Sequence, residues 1–318
     1  MKFLWLCFIA ATAIASSHDE GTDRPTVIVV VGAAGEDEFG KEFAESARRW
    51  QSACTTGGAS FLAIGLTNAA GTNDAEQLQQ VLAREATNSV AELWLVFLGH
   101  GTWDGKEAKF NLRGPDLAAH ELVALLNRFT RPVAIINSAS ASAPFIKSLS
   151  HTNRVVITST RSGAEENYSR FGRYISEAIA ASSADLDKDG QTSLLEAFLI
   201  ASRHVTEFYK AEGRLATEHA LLDDNGDGLG TPADWFRGVR AVKTPTPGAA
   251  IDGVRALQWH LVRSATEQSL APDQRRKRDA VEIEIATLRR RKGELKEDDY
   301  YRELERLLTE LAPMIDPR

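Results

Sequence analysis

Short runs of β-branched and other apolar residues recur along the first half of the chain, and longer stretches with apolar residues on one helical face lie between them. Buried strands that alternate with helices are typical of a mainly parallel sheet covered on both faces. The sequence therefore predicts a doubly wound α/β domain over residues 25–182. Its predicted strands are Thr26–Val31, Ser60–Ile64, Leu93–Leu98, Val133–Ile136 and Arg154–Thr158, and its predicted helices cover about 37–53, 74–88, 117–129, 142–149 and 168–182.

The second half of the chain has a different pattern, in which two Asp- and Gly-rich loops lie within helical sequence. We assign residues 183–243 to a region of paired EF-hand-like loops. The Thr-Pro-Thr-Pro sequence at 244–247 predicts a linker over residues 244–271, because proline fixes an extended backbone and removes hydrogen-bond donors. Residues 272–318 carry two apolar stripes at helical spacing, which predict a helical hairpin.

The N-terminal residues have the pattern of a secretory signal peptide over residues 1–17. Lys2 precedes the apolar run Phe3–Ile14, and a small-residue cleavage sequence ends at Ala15. The run is too short to span a bilayer, so we expect no integral membrane segment after removal of the signal. The alternative is that this run is a buried first strand. Export predicts a secreted, periplasmic or cell-envelope protein.

The composition is that of a soluble globular protein, with 318 residues of which 43% are hydrophobic and 25% charged. The formal net charge of -7 argues against general nucleic-acid binding, because neutralising phosphates needs a basic face. After removal of the signal, Cys54 would be the one cysteine left, so the sequence predicts no internal disulfide. We expect Cys54 to be a buried structural residue.

The loop Asp185–Glu196 has the spacing of a calcium site. Side-chain oxygens stand at loop positions 1, 3, 5 and 9, a glycine at position 6 permits a sharp turn, and a glutamate at position 12 can bind through both oxygens. Oxygen ligands in this register predict a bound Ca²⁺, and the alternative is a turn that holds no ion. The predicted ligands are Asp185, Asp187, Asp189, Gln191 through its backbone carbonyl, Ser193 and Glu196.

The loop Asp223–Asp234 repeats this pattern with departures. Position 12 is an aspartate, which is shorter than glutamate, position 8 is a glycine, and Pro232 stiffens the exit, so we expect weaker affinity or a geometry closer to that of magnesium. An unoccupied turn is again the alternative. The two loops suit a face-to-face pair of the EF-hand kind. The predicted ligands of the second are Asp223, Asn225, Asp227, Leu229 through its backbone carbonyl, Thr231 and Asp234.

Polar residues also follow the third and fourth predicted strands, at the carboxyl edge where sites gather in parallel sheets. His100 stands between two glycines after the third strand, and glycines there permit a tight turn that presents the side chain. The fourth strand is followed by the sequence Ser138-Ala139-Ser140. A histidine and a nucleophile on neighbouring strand ends can meet so that the imidazole removes the nucleophile's proton.

This arrangement resembles the caspase/legumain-like clan of cysteine peptidases over about residues 25–182. In that clan the third strand ends in His-Gly, matched here by His100-Gly101, and a nucleophilic cysteine follows the fourth strand. Ala139 stands at the place of that cysteine, with Ser138 and Ser140 as the nearest hydroxyls. The resemblance implies a caspase-like fold and a peptidase homologue that lacks its cysteine nucleophile, with a peptide or protein as ligand. Bacterial relatives that append EF-hand-type loops are a looser match.

Three interpretations of the domain follow. In the first, it is a non-catalytic relative with a binding or scaffolding role. In the second, it is an active peptidase or acyl-transfer hydrolase in which Ser138 or Ser140 attacks, His100 is the base and Asp104 orients the imidazole. In the third, the fold is unrelated and His100 is structural, which leaves a calcium-dependent structural protein of the cell envelope. Arg161 either lines a substrate pocket or pairs with a nearby carboxylate.

Overall fold

The chain forms a central seven-stranded sheet with helices on both faces. This computed structural model describes residues 24–67 and 73–315, so the signal peptide predicted at 1–17 lies outside the described residues. The strands are β1 (Thr26–Val31), β2 (Ser60–Ile64), β3 (Leu93–Leu98), β4 (Gly101–Trp103), β5 (Ala108–Phe110), β6 (Leu117–Ala118), β7 (Val133–Asn137), β8 (Arg154–Thr158), β9 (Leu221–Asp223), β10 (Thr231–Pro232), β11 (Phe236–Arg237) and β12 (Arg240–Ala241).

Five strands of the central sheet run parallel, in the order β2-β1-β3-β7-β8. β9 pairs antiparallel with β8, and β10 pairs antiparallel with β9, so the sheet ends in a hairpin. The five predicted strands are all present, four with the predicted bounds and β7 one residue longer, to Asn137. The prediction of a mainly parallel α/β sheet is confirmed.

Helices cover both faces of the sheet and form the C-terminal part of the chain. They are α1 (Asp37–Gly57), α2 (Asp74–Arg84), α3 (Ala119–Leu126), α4 (Pro144–Leu149), α5 (Phe171–Ala178), α6 (Leu194–Ala211), α7 (Val254–Gln258), α8 (Ala265–Ser269), α9 (Pro272–Arg290) and α10 (Glu297–Ile315), with 3₁₀ turns at Ser182–Ala184, Ala233–Trp235 and Arg291–Gly293.

Successive residues of the central strands face two separate cores. In β1, Val27 and Val29 lie in the core covered by α1, α5 and α6, whereas Ile28 and Val30 lie in the core covered by α2, α3 and α4. All four side chains are fully buried. A strand that is buried on both faces needs apolar residues at every position, which explains why these strands are continuous apolar runs in the sequence.

Several short elements were not predicted. β4, β5 and β6 form a small antiparallel sheet directly after His100, and strands of two or three residues are too short to show an alternating pattern. The predicted helix at 168–182 is shorter in the structure, where α5 begins at Phe171. Buried Glu218 accepts hydrogen bonds from the backbone N–H of Arg170, at 2.9 Å, and of Phe171, at 3.1 Å, and so holds the start of α5.

Part of the segment predicted as a linker is packed into the fold. Residues 244–271 contain α7 and α8, and Ala256, Trp259 and Leu261 are buried in the same core as α1 and α6. Trp259 lies against Trp94 of β3, with ring centroids 6.5 Å apart. The prolines at 245 and 247 explain an extended start to this segment, but they carry no information about the apolar residues that follow.

The last two helices pack against each other around their own small core, formed by residues such as Val281, Ile285 and Leu307. They are joined to the rest of the chain by polar contacts. Arg278 of α9 pairs with buried Glu267 of α8, with Nη2 and Oε1 2.9 Å apart. Within the described ranges, no helix combines the length and the apolarity that crossing a bilayer requires.

We predict that Trp259→Ala lowers the free energy of unfolding by about 3–5 kcal/mol, because it removes a large side chain that is only 6% exposed from the main core. Urea unfolding followed by circular dichroism measures the change. Leu215→Ala is the matched control, since Leu215 is 90% exposed and its loss should change stability by less than about 0.5 kcal/mol. Equal effects of the two substitutions would show that residues 244–271 are an unpacked linker.

Candidate functional site

The first predicted calcium loop is folded around the carboxylate of Asp185. Asp185 accepts hydrogen bonds from the backbone N–H of Lys188, at 2.6 Å, and of Gly190, at 3.1 Å. Both donors have a positive φ, 67° and 90°, which turns the backbone tightly around the carboxylate. One carboxylate oxygen from each of Asp185, Asp187 and Asp189 lies within 4.8 Å of the other two. The sequence-predicted carboxylates therefore converge.

Glu196 closes this loop from its far end. Its Oε1 accepts hydrogen bonds from the backbone N–H of Leu186, at 2.6 Å, and of Asp187, at 3.2 Å. Its Oε2 accepts from the N–H and the hydroxyl of Ser193, both at 2.8 Å. The same contacts cap the N-terminus of α6, where the helix dipole favours a negative charge. Glu196 is 1% exposed and joins loop position 12 to positions 2, 3 and 9.

The second loop repeats the contacts of the first, position by position. Asp223 accepts hydrogen bonds from the N–H of Gly226 and of Gly228, both at 3.0 Å, and both glycines have a positive φ. Asn225 accepts from the N–H of Asp227 at 2.8 Å, which corresponds to the contact of Asp187 with Asp189 in the first loop. The two loops thus share one backbone path through position 7.

Asp252, and not Asp234, closes the second loop. Its Oδ1 accepts hydrogen bonds from the N–H of Asp224, at 3.0 Å, and of Asn225, at 3.2 Å, and its Oδ2 accepts from the hydroxyl of Thr231 at 2.6 Å. These are loop positions 2, 3 and 9, the same three that Glu196 contacts in the first loop. Asp234 is exposed in a 3₁₀ turn, and no hydrogen bond within the described ranges joins its side chain to the loop.

Asp252 therefore makes the contacts expected of loop position 12, and calcium binding by Asp234 stays a prediction. The physical reason is that Thr231 and Pro232 form β10, which directs the chain away from the loop instead of into a helix. No sequence pattern identifies Asp252, because it lies beyond the Thr-Pro-Thr-Pro sequence, at a distance that no continuous loop motif covers.

The second loop also lacks the helices of an EF-hand. It lies between β9 and β10, and Leu222 of β9 pairs with Ile157 of the central sheet and is fully buried. Among the described residues, no strand pairing joins 185–196 to 223–234. A face-to-face EF-hand pair is thus not formed, because burial of Leu222 fixes the second loop to the sheet edge.

Burial raises the pKa values of several loop carboxyls. The pKa of Asp252 is raised to about 8, first by burial and then by the neighbouring charge of Asp224. Burial also raises the pKa values of Asp223 and Asp224. In the first loop, the pKa of Asp187 is raised to about 6 by burial and by Glu196 and Asp189. Carboxylates with raised pKa values are those that a cation would stabilise.

The candidate catalytic residues lie apart from the two loops, at the carboxyl ends of β3 and β7. His100 is half-buried, and its Nε2 donates to the carbonyl oxygen of Ala34 at 3.1 Å. Its ring lies against Phe39, Phe43 and Tyr168, with centroids 5.0, 5.5 and 6.0 Å away. The imidazole is therefore oriented by a carbonyl and by aromatic rings.

The candidate nucleophiles Ser138 and Ser140 are both buried. The Ser140 hydroxyl accepts from the N–H of Gly101 and donates to its carbonyl oxygen, each at 3.1 Å. The Ser138 hydroxyl is buried against Gly172 and has no hydrogen-bond partner among the residues that the structure describes. The Ser142 hydroxyl bonds with those of Ser159 and Thr160. Within the described ranges, no hydrogen bond joins His100 to any of these three serines.

The glycines beside His100 allow close packing. A Cβ on Gly101 would lie 2.4 Å from the carbonyl oxygen of Ser140, and one on Gly99 would lie 2.8 Å from the ring of Phe110. Neither glycine has a positive φ. The chain bends at Gly99, and the two glycines are needed there because a side chain at either position would collide with a neighbour.

Other candidate residues have local partners. Asp104 accepts hydrogen bonds from the N–H of Lys106 and of Glu107, both at 2.8 Å, in the turn between β4 and β5. Arg161 pairs with Glu165, with Nε and Oε1 3.3 Å apart, and Glu165 also contacts His219 at 2.6 Å. Cys54 is fully buried in α1, and burial raises the pKa of its thiol to about 12. Its predicted structural role agrees with this position.

No protein-family model matches the chain, and no curated protein matches it. Solved structures with a similar arrangement include caspase-1 from Spodoptera frugiperda, at 10% identity and a TM-score of 0.43 over 64% of this chain and 87% of the caspase. The Drosophila initiator caspase Dronc aligns at 13% identity and a TM-score of 0.44, over 64% of this chain and 81% of its own. Protein GSU0716 from Geobacter sulfurreducens aligns at 11% identity and a TM-score of 0.38, over 57% of this chain and 89% of its own.

Two of these three are caspases. Their identity to this chain assigns it no activity.

We predict that, in chelator, the chain becomes less stable as the pH rises from about 4 to about 8. Asp252 keeps its proton in the folded chain up to its raised pKa of about 8, whereas an unfolded aspartate loses it near pH 4. The folded state therefore binds more protons in this window, and its stability falls with increasing pH. Asp252→Asn should make the decrease smaller. Urea unfolding in EDTA at several pH values measures it, and an unchanged slope in the variant would contradict the prediction.

Proposed function

We propose that this chain is a calcium-binding α/β protein in which two oxygen-lined loops fasten its later elements to the central sheet. The observation that carries the proposal is the shared contact pattern of the two loops, including the matched roles of Glu196 and Asp252. Two segments with different flanking structure adopt the same path around an aspartate at position 1. A common ligand requirement accounts for this likeness.

The chemistry of both loops fits a hard cation, since every group they offer is an oxygen. The first would use Asp185, Asp187, Asp189, Ser193 and Glu196, with the Gln191 carbonyl. The second would use Asp223, Asn225, Asp227, Thr231 and Asp252, with the Leu229 carbonyl. Calcium accepts six to eight such oxygens, and it tolerates irregular coordination geometry better than magnesium does.

Calcium would act here as a structural clamp. The first loop leads into α6, which packs on the sheet, and the second joins β9 to the edge strand β10. Bound calcium would offset the repulsion among Asp223, Asp224 and Asp252, all at most 3% exposed. We propose that the protein is exported by its N-terminal signal, and calcium is plentiful outside the cell, so both loops would stay filled.

For the α/β domain, we propose a non-catalytic relative of the caspase/legumain-like clan with a binding or scaffolding role towards a peptide or protein. His100-Gly101 and the segment after β7 support the resemblance. Ala139 at the nucleophile's place and the engagement of Ser140 with Gly101 favour a non-catalytic role. An acyl-transfer enzyme that uses His100 with Ser138 or Ser140 is the second candidate. The adjacency of β3 and β7, which brings these residues to one sheet edge, favours it.

We predict that Asp252→Asn weakens calcium binding at the second loop at least about tenfold, since it removes a charged ligand. Isothermal titration calorimetry on the full chain measures the affinity of each site. Asp234→Asn is the matched control and should leave both sites unchanged, because Asp234 is exposed and separate from the loop. Loss of affinity in the Asp234 variant, with none in the Asp252 variant, would show instead that Asp234 is the ligand at position 12, as the continuous loop motif predicts.

We predict that a fluorophosphonate, which labels activated serines, leaves the folded chain unmodified. Neither the original chain nor His100→Ala should turn over peptide or ester substrates. Intact-mass analysis after labelling is the measurement. Labelling at Ser138 or Ser140 that His100→Ala abolishes would establish the enzyme instead.

A further inference from the structure

A groove of about 330 Å³ lies between the C-terminal helices and the rest of the chain. One wall is formed by Ile285 of α9 and by Leu308 and Leu311 of α10. The opposite wall comes from Val254 and Leu257 of α7 and from the turn between β11 and β12. The volume is that of a small-molecule site, and such sites are typically apolar with a few polar groups that fix orientation.

Four carboxylates and Arg278 also line the groove. Glu282 accepts a hydrogen bond from Gln258 at 2.9 Å, and Asp252 is held by Thr231. Arg278 pairs with Glu267 and with Asp279. The first calcium loop contributes Asp187 and Asp189, whose carboxylates converge with that of Asp185.

Two cations on the groove remain available. Arg240 of β12 and Arg289 of α9 both line it and are exposed. In residues 24–67 and 73–315, no ion pair or side-chain hydrogen bond engages either guanidinium. With bound calcium neutralising the loop carboxylates, as proposed above, the groove combines an apolar interior with two free positive charges. A complementary molecule then has an apolar body and one anionic end.

The walls are held in place before any ligand arrives. The buried pair of Arg278 with Glu267 joins α9 to α8, and Gln258 donates to the carbonyl oxygen of Asp279 at 2.9 Å. Arg278 and Glu267 are 12% and 6% exposed at their side chains, so solvent weakens their attraction little. A preformed site spends little binding energy on ordering its own side chains.

We propose that this groove binds an amphipathic monocarboxylate, a small molecule with an alkyl body and a single carboxylate. The alkyl chain lies between Leu257 and Ile285, and the carboxylate meets Arg240 and Arg289. This inference rests on the proposed calcium sites, because the proposed ligands Asp187, Asp189 and Asp252 line the same groove and would repel a carboxylate if no ion were bound.

Calorimetry on the full chain with octanoate, 1-octanol and octylammonium tests the proposal, at a calcium concentration that is the same for all three. We expect saturable binding of octanoate, at least about tenfold tighter than binding of 1-octanol. Octylammonium should bind the most weakly of the three, because the two arginines repel it. Arg240→Gln/Arg289→Gln should remove the preference for octanoate and leave binding of the alcohol. Leu308→Gln, which changes a groove side chain that is 44% exposed, should weaken the binding of all three ligands.

Arg203→Gln/Arg276→Gln is the matched control, because it removes the same charge at exposed positions away from the groove, and it should keep the preference for octanoate. Thermal unfolding by circular dichroism checks that each variant folds. The proposal is overturned if octanoate does not saturate, if it binds no better than octanol, or if the control double variant loses the preference as fully as the groove variant. Calcium titration of the same samples reports separately on the proposed calcium sites.

Discussion

Three buried carboxylates at the edge of the sheet hold the C-terminal third of the chain in place. Asp223 turns the second loop, and Asp252 joins that loop to the chain beyond it. Asp224 accepts hydrogen bonds from the N–H of Gly253, at 2.9 Å, and of Ala256, at 2.8 Å, and so fixes the start of α7. From α7 the chain continues to Trp259 in the main core. Burying like charges this closely is costly, and the backbone donors around them offset part of that cost.

The sequence predicts the central sheet well because burial on both faces leaves a clear signal. β1 is apolar at every position after Thr26, and its pairing partners β2 and β3 have the predicted bounds. The pattern fails where elements are short or where one tertiary contact decides. Nothing local distinguishes β9, with Leu222 as its buried residue, from the helical sequence expected there. Glu218 likewise sets the start of α5 from a distance of 47 residues along the chain.

The candidate sites differ in how far their residues could be found from sequence. The first loop is continuous, so its spacing identifies all the groups that the structure brings together. The second takes the carboxylate that closes it by hydrogen bonds from outside the motif, and a spacing rule does not reach that residue. At the sheet edge, the sequence correctly places His100 and Ser140 on neighbouring strands. It does not reveal that Ser140 bonds with Gly101, because that contact depends on the separation of two strands.

The origin of Asp252 links the second loop to the topology of the whole chain. An isolated peptide with residues 221–234 contains the turn but not its closing carboxylate, so the complete ligand set exists only after the chain has returned past residue 251. On the proposed role of this loop, ion binding and docking of the C-terminal third become two parts of one thermodynamic cycle. Each then strengthens the other by the same factor. The loop would serve as a checkpoint for completed folding, at which the ion is retained only when the last third of the protein is in place.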